Sequence, residues 1–280
     1  GYLDRNTRTV PTLEATYYAV QIDNLIGIEY NKTEVSNFVL SLRNNDGGFA
    51  TKPGYSSRIS SSFQAVSLLH QMSVDEILDE VEKDRPFYEN SGGGMTLSGG
   101  EPTFHADFSR QLLKNAKLRG LHVCLDTNGF CEWAVLRKMV ENVDLVLFDL
   151  KHMDSDIHKQ QTGVGNEKIL ENLALLSKID TDIWVRIPVI PGFNDSKAFH
   201  ECASEFLSNI KGQISRVDLL PFHNWCQDKY RWMGIEWSLK DTEATDPSFL
   251  EIPADLYRAK GLLTTVGGSG FETHRKAIGE

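Results

Sequence analysis

The chain has 280 residues, 40% of them hydrophobic, enough for one large α/β domain or two smaller ones with a sizeable core. Its formal net charge of -10 argues against a broad nucleic-acid surface, which would be basic. No apolar run approaches the ~20 residues of a membrane helix, and Gly1-Tyr2-Leu3-Asp4-Arg5 opens on nothing like a signal peptide. These features predict a cytoplasmic protein with neither membrane nor nucleic acid among its partners, and the missing initiator Met suggests a processed or trimmed chain. The cysteines, Cys124, Cys131, Cys202 and Cys226, are 7, 71 and 24 positions apart. No close pair of the zinc or iron–sulfur kind is present, so they read as free thiols in a reducing compartment.

The first 71 residues are rich in Thr, Ser and Asn and carry no clear strand. Helices are predicted over 12–28, over 33–43 with Asn31 or Thr33 as cap, and over 60–72. Ala19-Val20 and Ala65-Val66 recur 46 residues apart, a helical-repeat spacing. Asn45-Asp46-Gly47-Gly48-Phe49 and Pro53-Gly54 are turn chemistry. This stretch resembles the α/α repeats of prenyltransferase β subunits and terpenoid cyclases. At most two repeats are present, too few to close a toroid, and no zinc set accompanies them.

After Met72 the rhythm changes. Ser73-Val74-Asp75-Glu76 predicts a capping box and a helix to about Lys83. Strands are then predicted over 95–98, 121–125, 144–150, 183–189 and 216–220. Helices are predicted over 105–118, 133–141, 167–178, 197–209 and 253–263. Alternating strands and helices predict a parallel sheet with right-handed crossovers.

Polar runs follow each strand: Ser98-Gly99-Gly100-Glu101, Asp126-Thr127-Asn128-Gly129, Asp149-Leu150-Lys151-His152, Pro191-Gly192-Phe193-Asn194-Asp195 and Pro221-Phe222-His223-Asn224. The C-terminal edge of a parallel sheet is where active sites are built, so these runs alone predict an enzyme-like rim. Taken singly they are ambiguous. The glycine-rich loop reads equally as a turn, and it matches neither a dinucleotide nor a phosphate loop. Asn128-Gly129 suits a turn, Asp149 and Lys151 suit a salt bridge, and His223 suits a surface or core histidine.

Taken together, 72–104 with its Gly92-Gly93-Gly94-Met95-Thr96-Leu97-Ser98-Gly99-Gly100-Glu101-Pro102 run, Cys124–Phe130, Asp149–Met153, Thr162-Gly163-Val164, Arg186–Gly192 and Leu219–His223 resemble the radical-SAM activating enzymes of glycyl radical enzymes, such as that of pyruvate formate-lyase. The resemblance spans residues 72–267. It implies S-adenosyl-L-methionine and a [4Fe–4S] cluster as cofactors, and a 5′-deoxyadenosyl radical that takes hydrogen from one glycine. The partner would be a glycyl radical enzyme, with flavodoxin or ferredoxin as electron donor. By the same resemblance Gly99, Gly100 and Glu101 hold the methionine amino end, and Asp149, Leu150 and Lys151 line the methionine moiety. His223 lies beside the adenosine, and Asp126, Thr127 and Asp149 form a monovalent-cation site. No catalytic residue is assigned.

The chain departs from that pattern at one place. The family carries a Cys-x-x-x-Cys-x-x-Cys loop after its first strand, and the corresponding segment here, 1–71, contains no cysteine. The expected fold is α/β, a partial parallel (β/α) barrel of the radical-SAM type lacking its first β/α unit. A small all-α segment precedes it, giving domains of 1–71 and 72–280. Without that unit the 95–98 strand is an open edge, which the N-terminal helices could cover. The expected function is an activase-like protein incomplete in its cluster. A degenerate module binding S-adenosylmethionine or a partner is the alternative, and a prenyltransferase-class activity driven by 1–71 a third reading.

Overall fold

The computed structural model describes residues 73–268, apart from 211, 226, 228, 229 and 231–235. The chain divides into two units, Gly1–Ile77 and Leu78–Glu280. The helices expected over 12–28, 33–43 and 60–72, the repeat-like segment and the place of a first β/α unit all lie outside the described residues.

The described residues begin with α1 (Val74–Val81), entered through the expected capping box. Glu76 N–H donates to Ser73 Oγ (3.3 Å), and Ser73 N–H donates back to the Glu76 carboxylate (2.7 Å). Then follow α2 (Arg85–Ser91), β1 (Met95–Leu97), α3 (Ala106–Leu118), β2 (Val123–Thr127), α4 (Trp133–Val140), β3 (Leu145–Asp149), α5 (Ser155–Thr162), α6 (Glu167–Leu176), β4 (Asp182–Val189), α7 (Lys197–Asn209), β5 (Ile214–Pro221), α8 (Glu251–Arg258) and β6 (Thr264–Val266). The six strands are parallel and lie side by side in chain order, from β1 at one edge to β6 at the other. Parallel neighbours in chain order, joined by right-handed crossovers, put their connecting helices on one face of the sheet. This is the expected partial barrel, with its sheet not closed.

The strand sequences separate the two faces. In β4, Ile183, Val185, Ile187 and Val189 are buried, while Trp184, Arg186 and Pro188 between them are half-buried. Val146 and Phe148 in β3, and Val217 and Leu219 in β5, continue the fully buried row. That row forms the core with Leu113 and Ala116 of α3, Leu136 of α4, Leu173 of α6 and Ala203 of α7, none of which is exposed. Each fully buried Leu, Val, Ile or Phe contributes roughly 1.5–3 kcal/mol. The opposite row carries charge: Asp149 pairs in register with Arg186, Arg186 with Asp218, and Asp218 with Thr265.

Several predicted bounds shift. The strand expected over 121–125 is Val123–Thr127, because Leu121 N–H still closes α3 onto Ala116 C=O (3.1 Å). Asp126 and Thr127 are thus strand residues, opposite Leu147 and Phe148. The helix expected over 253–263 stops at Arg258. Gly261 turns the chain at φ +77°, and Thr264–Val266 becomes an unpredicted sixth strand. The unpredicted α5 starts on Asp154, whose carboxylate accepts the N–H groups of Asp156 (2.9 Å) and Ile157 (3.0 Å). No helix among the described residues is long and apolar enough to cross a membrane.

Candidate functional site

A cavity of about 230 Å³ opens at the C-terminal ends of β1 to β4. Ser98, Gly99, Gly100, Glu101, Asp126, Thr127, Asn128, Asp149, Lys151 and Arg186 line it. Seven of the predicted site residues therefore meet: Gly99, Gly100, Glu101, Asp126, Thr127, Asp149 and Lys151.

The other two do not. Leu150 is buried, and its N–H donates to Arg186 C=O (2.9 Å), so its side chain belongs to the core. His223 is exposed just past the end of β5, its ring 4.5 Å from that of Trp225, and it does not line the cavity.

Arg186 received no role in the sequence reading. Its Nη2 donates to Asp126 and to Asp149 (2.8 Å), and its Nε donates to Asp149 (3.1 Å). The free oxygens of the two carboxylates take Ser98 Oγ on Asp126 (3.0 Å) and Lys151 Nζ on Asp149 (3.4 Å). Burial pushes the Asp126 carboxyl above its ordinary range, against the pull of Arg186. Burial also works against the charge of Arg186, but Asp149 and Asp126 hold its pKa above the usual value. The guanidinium stands where a small cation would offset both acids, so the carboxylate pair suits a positive charge. The Thr127 hydroxyl is turned elsewhere, donating to Glu101 (2.7 Å). Among the described residues, no group of three or more His, Cys, Asp or Glu is placed to hold a metal ion.

Local backbone chemistry fixes the rim loops. Asn172 Nδ2 donates to the carbonyls of Gly129 and Cys131 (2.8 Å each), tying the loop after β2 to α6. Asn194, fully buried, donates to the carbonyls of Lys151 (2.7 Å) and Pro188 (2.8 Å) and accepts from Ile190 N–H (2.7 Å). Lys151 is thereby held at the cavity from two strand ends at once.

The cysteines are scattered. Cys124 is buried in β2, and burial pushes its thiol up to about 11. Cys131 lies in the loop after β2 and is raised by burial as well, while Cys202 is exposed on α7. A cluster ligand is a thiolate, and Cys124 and Cys131 sit where the thiol is favoured.

The family model described as the Radical SAM superfamily matches residues 56–201. The benzylsuccinate synthase activating enzyme of Thauera aromatica is 40% identical over 200 residues, covering 70% of this chain and 60% of that protein. The pyruvate formate-lyase 1-activating enzyme of Escherichia coli K12 is 34% identical over 199 residues, covering 70% of this chain and 78% of that protein. A crystal structure of a domain of pyruvate-formate lyase-activating enzyme from Bacteroides vulgatus aligns with a TM-score of 0.54 and 28% identity, over 63% of this chain and 99% of that one. The chain thus spans less than two thirds of the Thauera protein.

Proposed function

Because the chain belongs to the radical SAM superfamily, among the activating enzymes of glycyl radical enzymes, we propose that the rim cavity takes the methionine end of S-adenosyl-L-methionine in an activase-like protein that lacks its own cluster ligands. The family implies S-adenosylmethionine and a [4Fe–4S] cluster. Bound and reduced, S-adenosylmethionine supplies the radical that removes hydrogen from a backbone glycine.

The observation that carries this reading is the convergence of both charges on one cavity. A zwitterionic methionine end needs donors for its carboxylate and acceptors for its ammonium. Lys151 and the rim N–H groups serve the first need. Asp126 and the open backbone of Gly99 and Gly100 serve the second. His223, its ring tilted against that of Trp225, is assigned to the adenosine end. Asp126, Thr127 and Asp149 keep the cation role, and an alkali-metal ion there would take the place that Arg186 holds.

The cluster does not fit the cysteines of this chain. No Cys-x-x-x-Cys-x-x-Cys run occurs in the 280 residues, and no step is derived through it. A glycyl radical enzyme as protein substrate, and flavodoxin or ferredoxin as donor, belong to the same proposal. The missing motif favours one second reading, a module that binds S-adenosylmethionine without turnover.

Anaerobic reconstitution with iron and sulfide, followed by calorimetric titration of S-adenosylmethionine, tests both halves. The expected result is no cluster absorbance, together with a binding heat that Asp149→Asn abolishes. Iron near the roughly four per chain of a [4Fe–4S] centre overturns the first half, and absence of any binding heat overturns the second.

A further inference from the structure

Glu101 caps the 3₁₀ turn Pro102–His105, and its carboxylate is spent on protein donors. Oε1 accepts Thr127 Oγ1 (2.7 Å), Thr103 Oγ1 (3.0 Å) and Thr103 N–H (3.2 Å), while Oε2 accepts Asn128 N–H (2.8 Å). A carboxylate offers about four lone-pair sites, two on each oxygen, so with three donors on Oε1 and one on Oε2 a single site on Oε2 is left for a ligand. The chain of bonds continues, because Thr127 Oγ1 accepts Gly129 N–H (3.0 Å). Gly99 and Gly100 differ: a Cβ on either would meet no atom within 4 Å, and Gly99 sits at φ +117°. The glycine backbone faces open space while the glutamate beside it faces the next loop.

We infer that Glu101 is a positioning residue, whose carboxylate locks the β1 loop to the β2 loop and so aims the Gly99–Gly100 backbone at the cofactor's amino end. The inference rests on the cofactor reading above and takes Glu101 out of the set expected from the sequence to hold the amino end: the ammonium is met by the glycine backbone and Asp126, not by the Glu101 charge. A positioning carboxylate and a contacting one respond differently to substitution. Gln can still take Asn128 N–H on its oxygen and donate to Thr127 from its amide, giving up the Thr103 N–H bond, but it offers no charge to an ammonium.

The test is calorimetric titration of wild type, Glu101→Ala and Glu101→Gln with two ligands: S-adenosylmethionine and its deaminated analogue, in which hydrogen replaces the α-ammonium. Positioning predicts that Ala weakens S-adenosylmethionine about tenfold, as for a lost charge-assisted bond, that the deaminated analogue, which has no ammonium for the backbone to meet, changes far less, and that Gln restores most of the S-adenosylmethionine affinity. Gln as damaging as Ala, or a loss just as large for the deaminated analogue, overturns it. Should Glu101→Ala not fold, Thr127→Val breaks the same tie and is expected to give the same loss, selective for S-adenosylmethionine. If wild type binds neither ligand, the cofactor reading fails and the lock is judged separately by amide hydrogen exchange. Faster exchange at Asn128 and Gly129 in Glu101→Ala or Thr127→Val supports it, and unchanged exchange in them overturns it.

Discussion

Arg186 is a charged residue in a run of β-branched and apolar ones, Ile183-Trp184-Val185-Arg186-Ile187. Period-two alternation already puts it on the face of Trp184 and Pro188, away from the core. Its opposition to Asp149 follows from strand register, a long-range property that no local pattern carries. That is why Asp126, Asp149 and Lys151 were legible from strand-end position, while the counter-ion shared by the two acids was not. The consequence is a stability cost at one side chain. Arg186→Met should destabilise the protein by about 1–3 kcal/mol in urea unfolding, because two half-buried carboxylates lose their guanidinium. The loss stays below that of a fully buried pair because the cavity admits water. Adding Asp126→Asn should recover part of it, since one of the stranded charges is then gone. Equal midpoints for wild type and Arg186→Met would rule this account out.

At the scale of elements, the strand–helix alternation was readable because each buried strand is short and apolar and each helix amphipathic. α7 was predicted at its observed bounds, with Ser196 accepting Phe199 N–H (3.2 Å) as its cap. α5 was missed because its sequence is mostly polar, so only its capping Asp154 marks it. β6 was missed because three residues are too few for periodicity to register. The loops between elements are fixed by single buried amides, and these too leave no pattern in sequence. Asn194→Ala would strand three backbone groups at once, with an expected loss of about 2–4 kcal/mol by thermal melting. Gly129→Ala should also lower the melting temperature. Gly129 sits at φ +70°, and an added Cβ would lie 2.2 Å from Phe148 Cζ. A melt unchanged from wild type in either variant would remove that residue from the loop's scaffold.

Across the whole molecule, acid should act through a site remote from the cavity. His200 on α7 is fully buried and shares a hydrogen bond with Tyr257 of α8 (3.0 Å), while its Nε2 has no partner among the described residues. Burial pushes His200 down to about 4 and Tyr257 above its ordinary value, so both stay neutral in the fold. The unfolded chain binds a proton on His200 near 6.5, before the folded one does. Stability is therefore complete above about pH 6.5 and falls as pH drops toward 4, by up to about 3 kcal/mol. Urea midpoints across that range should show the slope, and His200→Gln should flatten it by about one proton's worth. An unaltered slope in the variant would assign acid lability elsewhere.

The strand ladders differ in length. β1 pairs with β2 over three residues, whereas β4 pairs with β5 over seven. The cavity draws on both, with Ser98 to Glu101 hanging from the three-residue β1 and Arg186 set within the eight-residue β4. Four of the ten residues lining the cavity thus hang from the short β1 ladder, which frays readily, while Arg186 sits on the long β4–β5 ladder, which opens late. A ligand bridging the two would act as a splint, so that occupancy of the pocket and cohesion of the sheet's leading edge become one equilibrium.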